Sequence, residues 1–153
     1  MTLDDPGALA RLDPHGVRRV LAEFPAQCRR ARTLVAEPAP AASRPSLVVL
    51  AGMGGSAAGG DVLAACGSAG GDVPIVVHRD YGLPASVGRG ALVIASSYSG
   101  QTEETLSAAQ TAVARKVPVV AITSGGPLAA LADAHGLTRV LLPAGLMPRM
   151  ARV

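Results

Sequence analysis

The sequence of 153 residues is poor in aromatic side chains, with one Phe, two Tyr and no Trp. Proteins that bind single-stranded nucleic acid commonly stack the bases on aromatic side chains, so this shortage argues against such a partner. A formal net charge of only +3 adds little support for binding to a phosphate backbone. We therefore expect no nucleic-acid partner, and a core built from aliphatic side chains.

Cysteines and long apolar runs are also scarce. Cys28 and Cys66 are the only cysteines, and their separation fits neither a metal-ligand spacing nor a redox pair. We expect two buried thiols in a reducing compartment, no metal site and no cofactor. No apolar run approaches the roughly 20 residues that span a bilayer, and the N-terminus lacks the pattern of a signal peptide. We therefore expect a cytoplasmic protein without a membrane partner.

The first 46 residues predict a helical arm followed by a linker. Within residues 7–36, five apolar side chains recur at the spacing of one helix face. Pro25 interrupts this stripe, so we expect a kink or two shorter helices. Three prolines in segment 37–46 predict an irregular linker, which leaves the arm at 1–36. The stripe consists of Val17, Val20, Leu21, Phe24 and Cys28.

From residue 47 onward, strand-like and helix-like segments alternate. The strand segments are continuously apolar, which indicates burial on both faces, as in a parallel sheet covered by helices. This order predicts an α/β domain at 47–153 with a five-stranded, doubly wound parallel sheet. The predicted strands are 47–52, 74–80, 91–97, 117–123 and 138–144, and the predicted helices are 56–67, 102–116 and 127–136.

The segment GMGGSA at 52–57 lies where a ligand of such a sheet would bind, at the carboxyl end of a strand. Three interpretations remain open for it. Gly52, Gly54 and Ala57 match the dinucleotide fingerprint, and Asp80 after the second strand could bind a ribose. A second interpretation is a phosphate pocket beside the start of the following helix. A tight turn without a ligand is the third.

The segment SSYSGQT at 96–102 favours a phosphate. Ser97, Ser99 and Thr102 surround a glycine at the end of a strand and the start of a helix. Free N–H groups at a helix start attract anions, and the helix dipole adds to that attraction. Ordinary capping would account for one hydroxyl only, and a dinucleotide site does not require this second cluster. A sugar monophosphate would use both segments. Glu103 and Glu104 follow directly, and the dipole accounts for acidic residues there.

Five segments in order resemble the bifunctional phosphoglucose/phosphomannose isomerases, a branch of the sugar isomerase (SIS) domain superfamily. The resemblance runs from about Val48 to Arg149. It implies a flavodoxin-like SIS fold and an enzyme that interconverts glucose 6-phosphate or mannose 6-phosphate with fructose 6-phosphate, without metal or nucleotide. The segments are GMGGSAAGGD, RDYGLP, SSYSGQTEETL, ITSGGPLAALA and PAGLMPR.

The resemblance also implies roles for individual residues. Gly55 and Ser56 would line the sugar-phosphate site. Arg149 would be catalytic and would stabilise negative charge on an enediolate, as expected for a reaction that builds up charge on oxygen. The phosphate itself would be held by Ser97, Ser99 and Thr102.

Enzymes of this family carry two SIS domains, and the resemblance covers only the first. It implies that the glutamate base, a ring-opening histidine and a lysine come from the second domain, with the histidine supplied across a dimer. We therefore expect this chain to bind sugar phosphate without turning it over, and to need a homodimer partner or a second SIS domain. The alternatives are a stand-alone, non-catalytic sugar-phosphate-binding module and, third, a dinucleotide-binding domain.

Overall fold

A computed structural model describes residues 4–40, 44–68 and 70–145 of the chain. The described residues divide after Leu34 into two compact units. The first unit contains three short helices: α1 (Pro6–Leu12), α2 (Val17–Ala22) and α3 (Phe24–Ala31). The second contains a six-stranded sheet with its covering helices.

The arm breaks at two places. Asp13 accepts hydrogen bonds from the N–H groups of Val17 and Arg18, at 2.6 and 2.9 Å, and so caps α2. A second break falls at Glu23, and Pro25 occupies the first turn of α3, where its missing N–H costs no hydrogen bond. The expected division near Pro25 is therefore confirmed, and the break before α2 is an addition that a capping aspartate explains.

The expectation of buried thiols is wrong, because Cys28 and Cys66 are both exposed. Cys28 belongs to α3, which buries no side chain. Two members of the apolar stripe, Leu21 and Phe24, are also exposed, by 50% and 59%, whereas Val17 and Val20 are half-buried. Helical periodicity indicates which residues share a face, but it does not supply the surface against which they pack.

The five predicted parallel strands are present, and a sixth strand joins them. The sheet order is β1-β6-β5-β4-β2-β3, and β1 pairs antiparallel with β6. β1 spans two residues at the boundary between the predicted arm and linker, too few to produce any periodicity in sequence. The strands are β1 (Ala36–Glu37), β2 (Leu47–Ala51), β3 (Ile75–His78), β4 (Ala91–Ser96), β5 (Val119–Thr123) and β6 (Thr138–Leu141).

Helices α4 (Gly54–Ser68), α5 (Glu103–Ala114) and α6 (Gly126–His135) cover the sheet. Between β3 and β4 the chain forms an irregular strap, residues 79–90, in place of a helix. Leu83 and Val87 of this strap are buried in the core. The core is aliphatic, as expected, and its largest fully buried side chain is Leu128 of α6. No helix in the described ranges is long and apolar enough to cross a membrane.

Candidate functional site

The sheet reverses its winding between β2 and β4, which are neighbours in the sheet although β3 lies between them in sequence. The carboxyl ends of these two strands therefore form the switch point at which doubly wound sheets bind ligands. Gly52 permits their close approach, since a Cβ there would lie 3.0 Å from the Ser96 carbonyl oxygen. The two segments that the sequence singled out, 52–57 and 96–102, are thus brought together.

The loop after β4 is closed by its own hydroxyl groups. Ser97 is buried, and its Oγ lies 2.9 Å from Thr102 Oγ1 and accepts a hydrogen bond from the Gly100 N–H at 3.1 Å. Ser99 is exposed, and its Oγ accepts from the Gln101 N–H at 3.2 Å. Ser97 therefore shapes the loop from inside, whereas Ser99 stands on its open side.

Helix α5 begins directly after this loop without a side-chain cap. Thr102 occupies the N-cap position, but its hydroxyl pairs with Ser97 and makes no capping bond. Capping by one hydroxyl thus fails to account for the cluster. Within the first turn of α5, the buried hydroxyl of Thr105 has no partner among the described residues. The first turn of α5 holds polar groups that the described protein leaves unused, and its dipole favours an anion.

The loop after β5 braces the loop after β4. Ser124 Oγ donates to the Tyr98 carbonyl oxygen at 2.6 Å, and the Leu128 N–H donates to the Gly100 carbonyl oxygen at 3.0 Å. The segment TSGGP at 123–127 supplies the Ser124 hydroxyl of this contact. No side chain makes a capping bond at the start of α6. The Ser124 hydroxyl instead holds the loop after β4 in place.

The first turn of α4, which follows β2, is partly exposed to solvent. Gly55 is exposed, and a Cβ built on it would meet no atom within 4 Å. Ser56 lies in the same first turn, is partly exposed, and donates its N–H to the Met53 carbonyl oxygen at 3.1 Å. Both residues are therefore accessible from solvent at the carboxyl end of β2, the strand that neighbours β4.

Two acidic candidates have local partners. Asp80 accepts a hydrogen bond from the N–H of Tyr81 at 2.7 Å, and Glu103 accepts one from the Tyr81 hydroxyl at 2.9 Å. The hydrogen bond to Glu103, aided by the charges of Glu103, Glu104 and Asp80, raises the pKa of the Tyr81 phenol above its ordinary 10.0. Sequence reasoning gave Tyr81 no role, and the segment RDYGLP is the only signal that could have drawn attention to it.

The predicted catalytic residue, Arg149, lies outside the described residues. Within the described ranges, no group of three or more His, Cys, Asp or Glu side chains is placed to hold a metal ion. The described part of the site therefore consists of hydroxyl groups, glycines and backbone N–H groups, with carboxylates at its side.

Comparison with known proteins agrees with this geometry. The SIS domain family matches residues 42–147. The chain is 50% identical over 104 residues to the bifunctional phosphoglucose/phosphomannose isomerase of Caldicellulosiruptor bescii, covering 68% of this chain and 31% of that protein. It is 44% identical over 106 residues to the enzyme of the same name from Thermoplasma acidophilum, covering 69% and 32%. The chain thus spans about a third of the length of these curated relatives.

Among solved structures, the chain resembles the sugar isomerase domain of the RpiR transcription factor from Sphaerobacter thermophilus. The TM-score is 0.54 at 26% identity, and the match covers 67% of this chain and 60% of that one. The doubly wound sheet, the hydroxyl-rich loop at its switch point and the match over residues 42–147 lead to one conclusion: this chain belongs to the SIS domain family.

Proposed function

We propose that this chain is the phosphate-binding SIS domain of a phosphoglucose/phosphomannose isomerase type of protein. The observation that carries the proposal is the uncapped start of α5, set inside a hydroxyl loop at the switch point of the sheet. The similarity at 50% and 44% identity to two isomerases of that name supports the substrate class. The ligand would be glucose 6-phosphate, mannose 6-phosphate or fructose 6-phosphate.

The proposed roles follow from where the side chains lie. Ser99, Thr102 and the first N–H groups of α5 bind the phosphate, and Ser97 supports them from beneath. Gly55 and Ser56 line the sugar on the side of α4. Helix N-termini and hydroxyl donors bind phosphate in many proteins by the same combination of dipole and free N–H groups.

Turnover needs further groups. Aldose–ketose isomerisation moves a proton between adjacent carbons and requires a base within hydrogen-bond reach of that proton. The Glu103 carboxylate accepts a hydrogen bond from the Tyr81 hydroxyl, which argues against Glu103 as the base. We propose that the base comes from a second SIS domain or a partner subunit, and that Arg149 stabilises the enediolate.

A non-catalytic sugar-phosphate-binding module is the second candidate. The similarity to the sugar isomerase domain of a transcription factor favours it, since that match covers most of this chain. A dinucleotide-binding domain ranks below both. Asp80, the residue it would use for the ribose, is engaged with the N–H of Tyr81.

The first prediction separates these candidates. Fructose 6-phosphate should raise the melting temperature, since a ligand that binds only the native state stabilises it, whereas NAD and NADP should not. A coupled assay of glucose 6-phosphate formation should detect no turnover by the purified chain alone. A shift with NAD but not with sugar phosphates would overturn the proposal. Isomerase activity of the isolated chain that is abolished by Arg149→Ala would refute only the proposal that the base comes from a second SIS domain or a partner subunit.

The second prediction concerns the first turn of α4. Gly55→Ala should stabilise the protein by up to about 1 kcal/mol, because alanine is a better helix former than glycine, yet it should weaken the binding of fructose 6-phosphate. Gly59→Ala is the matched control: Gly59 is exposed on the same helix, with nothing within 4 Å of a Cβ. It should stabilise the protein and leave affinity unchanged. Thermal unfolding and calorimetry measure the two effects, and equal affinities for all three proteins would remove Gly55 from the site.

A further inference from the structure

The strap of residues 79–90 is fastened along helix α5. Its hydrogen bonds begin at the first residue of the helix and continue past its last turn, and Leu83 anchors the strap in the core. The side chain of Tyr81 is thereby held beside the start of α5, next to the candidate anion site. The hydrogen bonds join Tyr81 to Glu103, Gly82 to Ser107 and Pro84 to Arg115, at 2.9, 3.0 and 2.8 Å.

Glu103 is a built-in competitor for that anion site. It is the first residue of α5, and its carboxylate carries the same sign of charge as a phosphate. Acidic side chains in the first turn of a helix are attracted to the free N–H groups and to the dipole. A Glu103 carboxylate that turned towards those N–H groups would therefore compete with the ligand by position and repel it by charge.

We propose that Tyr81 is a positioning residue that holds the Glu103 carboxylate away from the uncapped N–H groups at the start of α5. Its hydroxyl donates to Glu103 Oε2 at 2.9 Å, which directs one carboxylate oxygen towards the strap. The anion site is thereby kept open for the ligand. This inference rests on the proposed function, because it takes a phosphate as the ligand of that site.

The test is a set of calorimetric titrations with inorganic phosphate and with fructose 6-phosphate. Tyr81→Phe removes the hydrogen-bond donor and keeps the ring. It should lower the affinity for both ligands about two- to fivefold, the size of effect expected between two exposed charges, here the Glu103 carboxylate and the phosphate. Glu103→Gln should not lower the affinity. In the Glu103→Gln background, Tyr81→Phe should cause no further loss, because the competing charge is gone.

Glu104→Gln is the matched control. It removes one negative charge from the same helical turn without touching the acceptor of the Tyr81 hydroxyl. Tyr81→Phe should still lower affinity two- to fivefold in that background. An equal loss in the Glu103→Gln and Glu104→Gln backgrounds would mean that Tyr81 acts by packing alone, and it would overturn the inference. Unchanged affinity in Tyr81→Phe would do the same.

The two ligands distinguish the inference from the proposed function. Tyr81-dependent binding of inorganic phosphate, without preference for the sugar phosphate, would support the inference and contradict the proposed function. Binding of fructose 6-phosphate that is unaffected by substitution of Tyr81 or Glu103 would support the proposed function and contradict the inference. A wild-type protein that binds neither ligand would refute both. Ultraviolet titration gives a ligand-free check: Glu103→Gln should lower the raised pKa of the Tyr81 phenol.

Discussion

Gly100→Ala should destabilise the protein by about 2–6 kcal/mol. Gly100 has a φ of +67°, and a Cβ there would lie 1.9 Å from the Gly125 carbonyl oxygen and 2.9 Å from Thr123 Oγ1. A non-glycine residue in this backbone region costs about 1–3 kcal/mol, and overpacking adds about 1–3 kcal/mol. Since the chain contains no Trp, urea unfolding is best followed by far-ultraviolet circular dichroism.

Gly136→Ala is the control for backbone strain alone. Gly136 ends α6 with a φ of +59°, and a Cβ there would meet nothing within 4 Å. It should cost only about 1–3 kcal/mol, the same backbone penalty as at Gly100, without the overpacking. If Gly100→Ala lowered the free energy of unfolding by no more than Gly136→Ala does, the close contact between Gly100 and the loop after β5 would be contradicted.

The double variant Ser97→Ala with Ser99→Ala should lower the affinity for fructose 6-phosphate by at least about 10–10²-fold, the loss expected from the Ser99 hydrogen bond alone. Each hydrogen bond to a charged group contributes about 1.5–3 kcal/mol, and about 1.4 kcal/mol corresponds to a factor of ten. Titration calorimetry of wild type and variant measures the difference. Equal affinities would remove this loop from the phosphate site.

The single variants separate contact from support. Ser99→Ala should weaken binding and leave the melting temperature unchanged, because Ser99 is exposed. Ser97→Ala should lower both, since it deprives Thr102 Oγ1 and the Gly100 N–H of a partner. Ser46→Ala is a matched control, because its hydroxyl donates to the Gly90 carbonyl oxygen, close to the amino end of β4. A loss of affinity in Ser46→Ala as large as that in Ser99→Ala would indicate a general effect on stability.

The strands, and with them the edge of the sheet that carries the candidate site, could be predicted because their signals are local. Buried parallel strands appear as short apolar runs, and the residues that follow each run lie at the ligand-binding edge. The contact between the loops after β4 and β5 could not be predicted, because it joins residues that are distant in sequence. Ser124 and Tyr98 are separated by 26 residues, and nothing in either segment specifies that a hydroxyl of one will meet a carbonyl oxygen of the other.

The role of Ser97 and the strap also depend on tertiary packing. SSYSGQT has the same letters whether Ser97 points to a ligand or into the loop, and only the packing of β4 against β5 buries it. The strap has neither helical nor strand periodicity, so its attachment to α5 left no pattern to detect. Leu83 and Val87 are its buried side chains, and two apolar residues are too few to define a periodicity.

The two edges of the sheet differ in their capacity to recruit another strand. At one edge, β1 is two residues long and is followed by Pro38 and Pro40, which have no N–H to offer an incoming chain. At the other edge, β3 pairs with β2 alone among the strands of the described ranges, and Val76 is exposed. A sheet that can be extended from one side only would have a stopping point: if two copies paired through β3, neither would keep a free edge, and the assembly would end as a pair instead of growing into a fibre.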